Sequence, residues 1–320
     1  MNILVTGGLG FIGHNVVSNL EKLGHTVVIV DNHTDYGIIP KKELKYIHNE
    51  RVKKFTKSIK IYKTDICDNL DSIFKKHKFE LVIHLASFPR QKIVNLYPIL
   101  GSKVMIEGLI NLLETSKNHN IRKFVYISSS MVYGDWNDKT PIRETTDCNP
   151  IGQYGILKLS GEKLVKDYSR RNCFSYNIIR PSAVYGPLDV EDRVVSKFLL
   201  NAIRDETLTV NGQDEMLDFT YIDDTVDGIV ACSLSENTNN KTYNISRGDA
   251  HSLLNAAQIA LQIANGGMLQ VSDRDSNFPI RGTLDITQAK SDFGYDPTVD
   301  IEKGFKNYYD WLISSTYYTK

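Results

Sequence analysis

The chain has 320 residues, with 38 Lys and Arg against 38 Asp and Glu, so no overall field draws it to nucleic acid or an anionic membrane. Hydrophobic residues make up 41 % and charged residues 24 %, which is enough apolar material for one large domain or two unequal ones. The four cysteines (Cys67, Cys148, Cys173 and Cys232) lie far apart with no CxxC pair, a pattern of free thiols in a reducing compartment and not of a disulfide frame or zinc site.

The chain opens on "MNILVTGG", which has no basic leader or cleavage site, and no apolar run reaches the ~18 residues a bilayer span needs. A cytoplasmic location is expected. Val/Ile/Leu-rich runs stand at 2–6, 26–31, 58–65, 80–87 and 123–129, suited to strands buried on both faces of a parallel sheet. Helical patterns at 10–24, 69–77 and 99–117 alternate with them. The prediction is an α/β, doubly wound parallel sheet with right-handed crossovers, extended by a strand at 174–181. After Pro181 the alternation weakens into a helix near 191–204 and a strand at 207–210. A helix capped by Asp223 or Asp224 follows, then helices near 251–264, 287–293 and 300–315. One stretch, 41–63, is strongly basic, with only Glu43 and Glu50 opposing it. It reads as a solvated surface helix and loop, with a nucleic-acid patch as the alternative.

"TGGLGFIG" lies where the first strand turns into the first helix. Gly7, Gly10 and Gly13 are spaced by three, and Gly8, Gly10 and Gly13 also fit a dinucleotide fingerprint. Glycine is needed there for a tight turn, for close approach of backbone to pyrophosphate, and for helix–strand packing. Phe11 and Ile12 open the helix, whose unpaired N–H groups and positive dipole end suit phosphate. Asp31 closes the second strand, 18 residues past Gly13, beside Asn32. A carboxylate there accepts the ribose hydroxyls and repels a 2′-phosphate, so NAD is expected as cofactor. Asp65 and Ile66, ending the third strand, are expected near the adenine.

In an open parallel sheet ligands bind beyond the carboxyl ends of the strands. The fifth strand ends there in Ser128, Ser129 and Ser130, and "YGILK" places Tyr154 and Lys158 four apart on one helix face. A lysine ammonium beside a phenol favours the phenolate, and a serine hydroxyl can hold a substrate oxygen for it. Together they can take a proton from an alcohol while its hydride leaves to a nicotinamide. His84 reads as a buried strand residue.

Taken in order, "TGGLGFIG", "DN" at 31–32, "TDICD", "VIHLAS", "SSSMVYG", "YGILK", "RPSAVYGP" and "FTYIDDTVDG" resemble the extended short-chain dehydrogenase/reductase superfamily, specifically its NAD-dependent epimerase/dehydratase family. The resemblance covers nearly the whole chain. It implies an NAD-binding Rossmann domain over 1–180, with a returning segment near 218–245, and a nucleotide-sugar-binding lobe over 181–320. It implies Ser129 as the catalytic serine, with Ser130 as second choice, alongside Tyr154 and Lys158. Leu85, Ala86, Ser87 and Pro181 are implied NAD contacts, and Ser130 and Met131 substrate contacts.

The family's dehydratases carry an Asp-Glu pair after the catalytic residue, and its decarboxylases a Glu where Met131 stands. Neither carboxylate is present, so the resemblance implies a nucleotide-sugar epimerase that inverts C4 through a 4-keto intermediate. The alternatives are an NAD(P)H-dependent reductase of a nucleotide-linked 4-keto sugar and a non-catalytic NAD(H)- or nucleic-acid-binding protein. Three positions depart from the family: Ala183 replaces an Asn, Asn211 an aromatic residue and Leu217 an Arg. Arg193 and Arg281 match family arginines that pair with phosphate, a surface salt bridge being the alternative for each. Arg90 and Lys92 are placed to meet a sugar carboxylate, which would suggest a uronate. A homodimer through helices near 99–117 and 153–171 is also implied, with plain internal packing as the alternative.

Overall fold

Apolar β-branched runs too short for helices form the centre of the molecule. The computed structural model describes all residues except Asp35, Tyr36, Ile38, Pro89, Asn137, Lys139, Asn172, Thr319 and Lys320. The strands β1 (Asn2–Thr6), β2 (Thr26–Asp31), β3 (Lys60–Lys63), β4 (Leu81–His84), β5 (Lys123–Ile127), β6 (Ser175–Pro181) and β7 (Lys241–Ile245) make one sheet, ordered β3-β2-β1-β4-β5-β6-β7. Every pairing in it is parallel. The order reverses direction between β1 and β4, which opens a crevice beyond their carboxyl ends. The doubly wound expectation is met, and β7 supplies the edge next to β6.

Both faces of the sheet are covered. One face packs Ile3, Val5, Ile83, Val125 and Ile179 into a core that runs on through Tyr185, Phe219 and Phe305. The other sets Leu4, Val28, Phe124 and Tyr126 against Leu109, Leu112 and Val165. Residues at alternate positions along β1 thus go to opposite cores, as the pleat requires.

The later chain adds the helices Val194–Ile203, Leu253–Ala264 and Ile301–Ser314, with a parallel pair of strands, Thr207–Asn211 and Met268–Ser272. Two expectations are corrected. The helix near 222 is not capped by Asp223 or Asp224: Tyr221 occupies the cap with extended backbone, and both acids lie in the first turn. Asp224 instead accepts from the backbone N–H groups of Thr298 and Val299, at 3.0 Å each. The helix expected over 99–117 is interrupted. Pro98–Ser102 leads into a π turn, Lys103–Glu107, before Gly108–Asn118 resumes. At Gly108 a Cβ would stand 2.8 Å from the Ile66 side chain, so that packing needs glycine.

Candidate active site

The loop between β1 and the first helix is built as its glycines require. Gly7 has φ +70, and a Cβ on it would lie 2.6 Å from the Ala86 backbone nitrogen at the end of β4. A Cβ on Gly13 would strike the Gly7 carbonyl oxygen. Glycine at both positions lets β1, β4 and the helix α1 (Phe11–Lys22) close on one another, with the start of α1 facing the crevice.

Beyond the strand ends lies a cavity of about 530 Å³, lined among others by Gly7, Gly10 and Phe11, by Asp31 and Asn32, and by Asp65 and Ile66. Leu85, Ala86 and Ser87 line it too, as do Arg90 and Arg193. Ile12, Gly13, Tyr154, Lys158 and Pro181, also expected as cofactor contacts, are outside the lining. Asp31 accepts from the Leu9 N–H at 3.0 Å and from the His33 N–H at 2.8 Å, which orients its carboxylate at the mouth of β2. Asn32 donates to Asp65 at 2.7 Å and ties the ends of β2 and β3 together.

Arg51 was missed by sequence reading. It is buried and donates to the Leu9 carbonyl at 2.8 Å and the Leu188 carbonyl at 2.7 Å, clamping the glycine loop to the segment after Pro187. Burial lowers its pKa to about 10. The basic segment around it is also not simply a solvated face. Helix α2 (Lys41–Val52) presents Lys41, Leu44, Lys45, His48 and Asn49 to the cavity, at helical spacing along one side.

The candidate reactive groups lie just past β5 and on helix α3 (Gln153–Arg170). Ser129 has extended backbone and starts a single 3₁₀ turn, where its Oγ accepts from the Met131 N–H at 3.2 Å. Ser130 donates to the Ser182 hydroxyl at 3.3 Å, and Met131 is buried beneath them. Ser128 does more than finish its strand. Its N–H donates to the Ile179 carbonyl at 2.7 Å, and its hydroxyl donates at 2.6 Å to the buried carboxylate of Glu162. Glu162 forms a two-point ion pair with the buried Arg180, at 2.9 and 2.6 Å, and the guanidinium lies over the Tyr133 ring. That pair left no mark in the sequence beyond a charge on each of two apolar faces.

Lys158 is buried, and its Nζ donates to the Ile127 carbonyl at 2.8 Å while lying 5.8 Å from the centre of the Tyr154 ring. Burial lowers its pKa to about 7, opposed by the negative charge of Glu162 one turn further along the helix. Tyr154 does not show the depressed pKa expected for it. Burial raises it, and the positive charge of Arg193 and a contact with the Ser129 hydroxyl oppose that rise without overcoming it. The geometry therefore holds a phenol whose ionisation burial disfavours against a serine hydroxyl, with a lysine alongside whose charged form burial also disfavours.

His84 is a buried strand residue, its Nδ1 2.7 Å from the Thr6 hydroxyl and its pKa lowered to about 3, first by burial and then by Lys158. Arg90 is bound to Asp192, through the carboxylate at 3.0 Å and the carbonyl at 2.9 Å. Arg193 stands 3.7 Å from the buried Asp189. Both arginines line the cavity. Arg281 is not in the lining of this cavity; it is buried near Glu215 and Arg274, and its Nε has no partner among the described residues. Ala183 occupies φ +35, a left-handed conformation costly to a residue with a Cβ and tolerated by Asn. No group of His, Cys, Asp and Glu among the described residues could hold a metal ion. No helix among them is long and apolar enough to cross a membrane.

Comparison with known proteins places this arrangement. The family model of the NAD dependent epimerase/dehydratase family matches residues 3–246. An uncharacterized UDP-glucose epimerase, YtcB, of Bacillus subtilis is 30 % identical over 98 % of this chain and 98 % of its own length. UDP-glucuronate 4-epimerase 1 of Arabidopsis thaliana is 30 % identical over 98 % of this chain and 77 % of its own. The UDP-glucuronic acid 4-epimerase of Bacillus cereus, crystallised with UDP-glucuronic acid and NAD, superposes with a TM-score of 0.88. It is 27 % identical, and the match covers 97 % of this chain and 98 % of that one. The UDP-glucose 4-epimerase of Thermotoga maritima, crystallised with UDP-glucose, gives 0.87 at 29 % identity, covering 98 % and 99 %.

Proposed function

The chain belongs to the NAD-dependent epimerase/dehydratase family, and from that premise we propose that it inverts C4 of a uridine-diphosphate sugar with NAD as resident cofactor. The observation that carries this reading is a cavity floored by Gly7 and Gly10 whose lining residue Arg193 also acts on Tyr154, with Ser129 against Tyr154, Lys158 one turn on, and no carboxylate at Ser130 or Met131. The donor set fits NAD: the cradle at Gly7 admits no Cβ, and Asp31 stands where a ribose diol needs an acceptor.

NAD held by the residues of this cavity would supply the hydride acceptor and donor for C4. As a phenolate, the form that a protonated Lys158 and the positive charge of bound oxidised NAD would favour against burial, Tyr154 would take the proton of the C4 hydroxyl and return it to the oxygen of the inverted centre. Ser129 holds that oxygen as it becomes a carbonyl. Lys158, anchored on the Ile127 carbonyl, adds positive charge near the phenol in proportion to its protonation. Arg193 and Arg281 are the proposed diphosphate contacts, with Ser130, Met131 and Ala183 toward the sugar. Residues 1–180 would hold NAD, and residues 181–320 the nucleotide sugar.

A homodimer is proposed through the helices after β4 and helix α3. Leu96, Tyr97, Ile99 and Leu100 are exposed there beside Ile110 and Ile156, and Ile99 is 86 % exposed. An apolar patch of that kind calls for a covering partner, and light scattering at the monomer mass would remove the proposal.

The test is to denature the purified protein and identify the released nucleotide, then to follow UDP-hexoses and UDP-hexuronates by NMR without added reductant. Bound NAD with reversible C4 inversion, lost in Tyr154→Phe, is the expected result. Turnover only of 4-keto sugars, and only with added NADPH, would replace the epimerase with a reductase.

A further inference from the structure

The segment 188–193 lines the cavity through Asp189, Val190 and Arg193 and is tied to a wall on each side. On one side, Arg51 of α2 donates to the Leu188 carbonyl at 2.7 Å, and Glu43 of α2 accepts from the Glu191 N–H at 2.7 Å. Both side chains are buried, and Glu43 also accepts from the Tyr318 hydroxyl at 3.0 Å. On the other side, Arg90 beyond β4 donates from one nitrogen to the Asp192 carboxylate at 3.0 Å and to its carbonyl at 2.9 Å. Arg90 and several α2 residues are themselves in the lining, so the segment forms a strap from one wall of the cavity to another.

The two attachments differ in what opening them costs. The ties to α2 come from buried groups, and breaking them leaves charges short of partners away from water. The side chains of Arg90 and Asp192 are 16 % and 32 % exposed, so water replaces either partner at little cost. Asp192 is steadied through its second carboxylate oxygen, which takes the Lys197 Nζ at 2.6 Å from the helix Val194–Ile203. Leu188 and Arg90, one at each attachment, both have left-handed backbone, φ +68 and φ +65, where a Cβ is costly. Strain of that kind gathers at ligand clamps and switch segments. The strap also reaches the reacting end of the cavity, since the positive charge of Arg193 acts on Tyr154.

We propose that Asp192 is a positioning residue that latches this strap to Arg90 across the NAD cavity, with the buried ties to α2 as the hinge, so that NAD leaves when the pair opens. The inference rests on the assignment of this cavity to NAD. An epimerase that removes a hydride from C4 must keep the reduced cofactor in place until that hydride is returned. A latch of moderate strength meets the need and still lets the cavity be loaded.

The purified full chain is loaded with radiolabelled NAD and chased with excess unlabelled NAD, and the release rate is measured at about 50 mM and about 500 mM salt. Asp192→Ala should release NAD more than about twofold and up to about fivefold faster than the parent at the lower salt, the range open to a pair this exposed. Arg90→Gln should do the same, and the double variant should be no faster than either alone. Higher salt should speed release from the parent more than from Asp192→Ala, because the variant has no pair left to screen. Lys197→Gln, which removes only the other partner of Asp192, should stay within about twofold of the parent. Release from Asp192→Ala within about twofold of the parent, or accelerations that multiply in the double variant, would overturn the latch. An equal acceleration in Lys197→Gln, or the same salt response in parent and Asp192→Ala, would overturn it as well. A parent protein that binds no NAD would overturn the assignment of the cavity itself, a result distinct from bound NAD released at an unchanged rate.

Discussion

Replacing Lys158 by methionine separates the stability of this fold from its chemistry. The lysine is buried and its pKa lies at about 7, against an ordinary value of 10.5. Because the folded pKa is depressed, the unfolded chain binds more protons than the folded one between about pH 7 and pH 10.5. The folded state is penalised below pH 7, and the penalty fades as pH rises toward 10.5. A difference of three to four pKa units corresponds to about 4 kcal/mol at neutral pH. Methionine fills similar volume without charge but leaves the Ile127 carbonyl without its donor, a cost of about 1–3 kcal/mol. The net expectation for Lys158→Met is a gain of about 1–3 kcal/mol at pH 7, or roughly 2–4 °C in Tm for a chain of this size. Epimerisation should fall at least about 100-fold. Thermal unfolding of parent and variant at pH 7 and pH 10 tests the sign, since the advantage of the variant should shrink at the higher pH. A variant less stable than the parent at pH 7, or an advantage that grows with pH, would show that Lys158 is not held in a charge-disfavouring site.

Three further outcomes follow from the same geometry. Gly7→Ala should abolish NAD retention, measured by nucleotide release, because the new methyl group stands 2.6 Å from the Ala86 nitrogen at φ +70. Glu162→Gln should destabilise the protein by about 3–5 kcal/mol in denaturant unfolding, since it leaves Arg180 buried without its counter-charge. Ala183→Gly should leave the fold intact and raise stability by up to about 1 kcal/mol, because it relieves the left-handed strain at φ +35.

The alternation of apolar strands with amphipathic helices determined the doubly wound sheet, because strands buried on both faces leave a continuous apolar signature. The glycine spacing, the aspartate at the end of the second strand and the Tyr154–Lys158 pair were legible for the same reason: local backbone geometry dictates each of them over a few residues. The helix interruption at Lys103–Glu107 was not legible, since the run from 99 to 117 keeps a helical pattern across it, and the structure supplies no cause for it in those residues. Nor was the cap of the helix after Tyr221, where Asp224 serves a segment more than 70 positions away.

What only the tertiary structure decided is the company each charge keeps. The basic run around α2 read as solvent-facing because a helical period of cations gives no hint of a cavity on one side. The fold turns Lys45 and His48 onto the cofactor crevice and buries Arg51 between two carbonyl groups. Likewise spacing singled out Tyr154 and Lys158 as candidates, but the direction in which each pKa moves follows from how deeply the fold removes them from water. Spacing along the chain is local and the sequence states it outright. Burial depends on every segment that packs above a residue, and only the assembled fold supplies it.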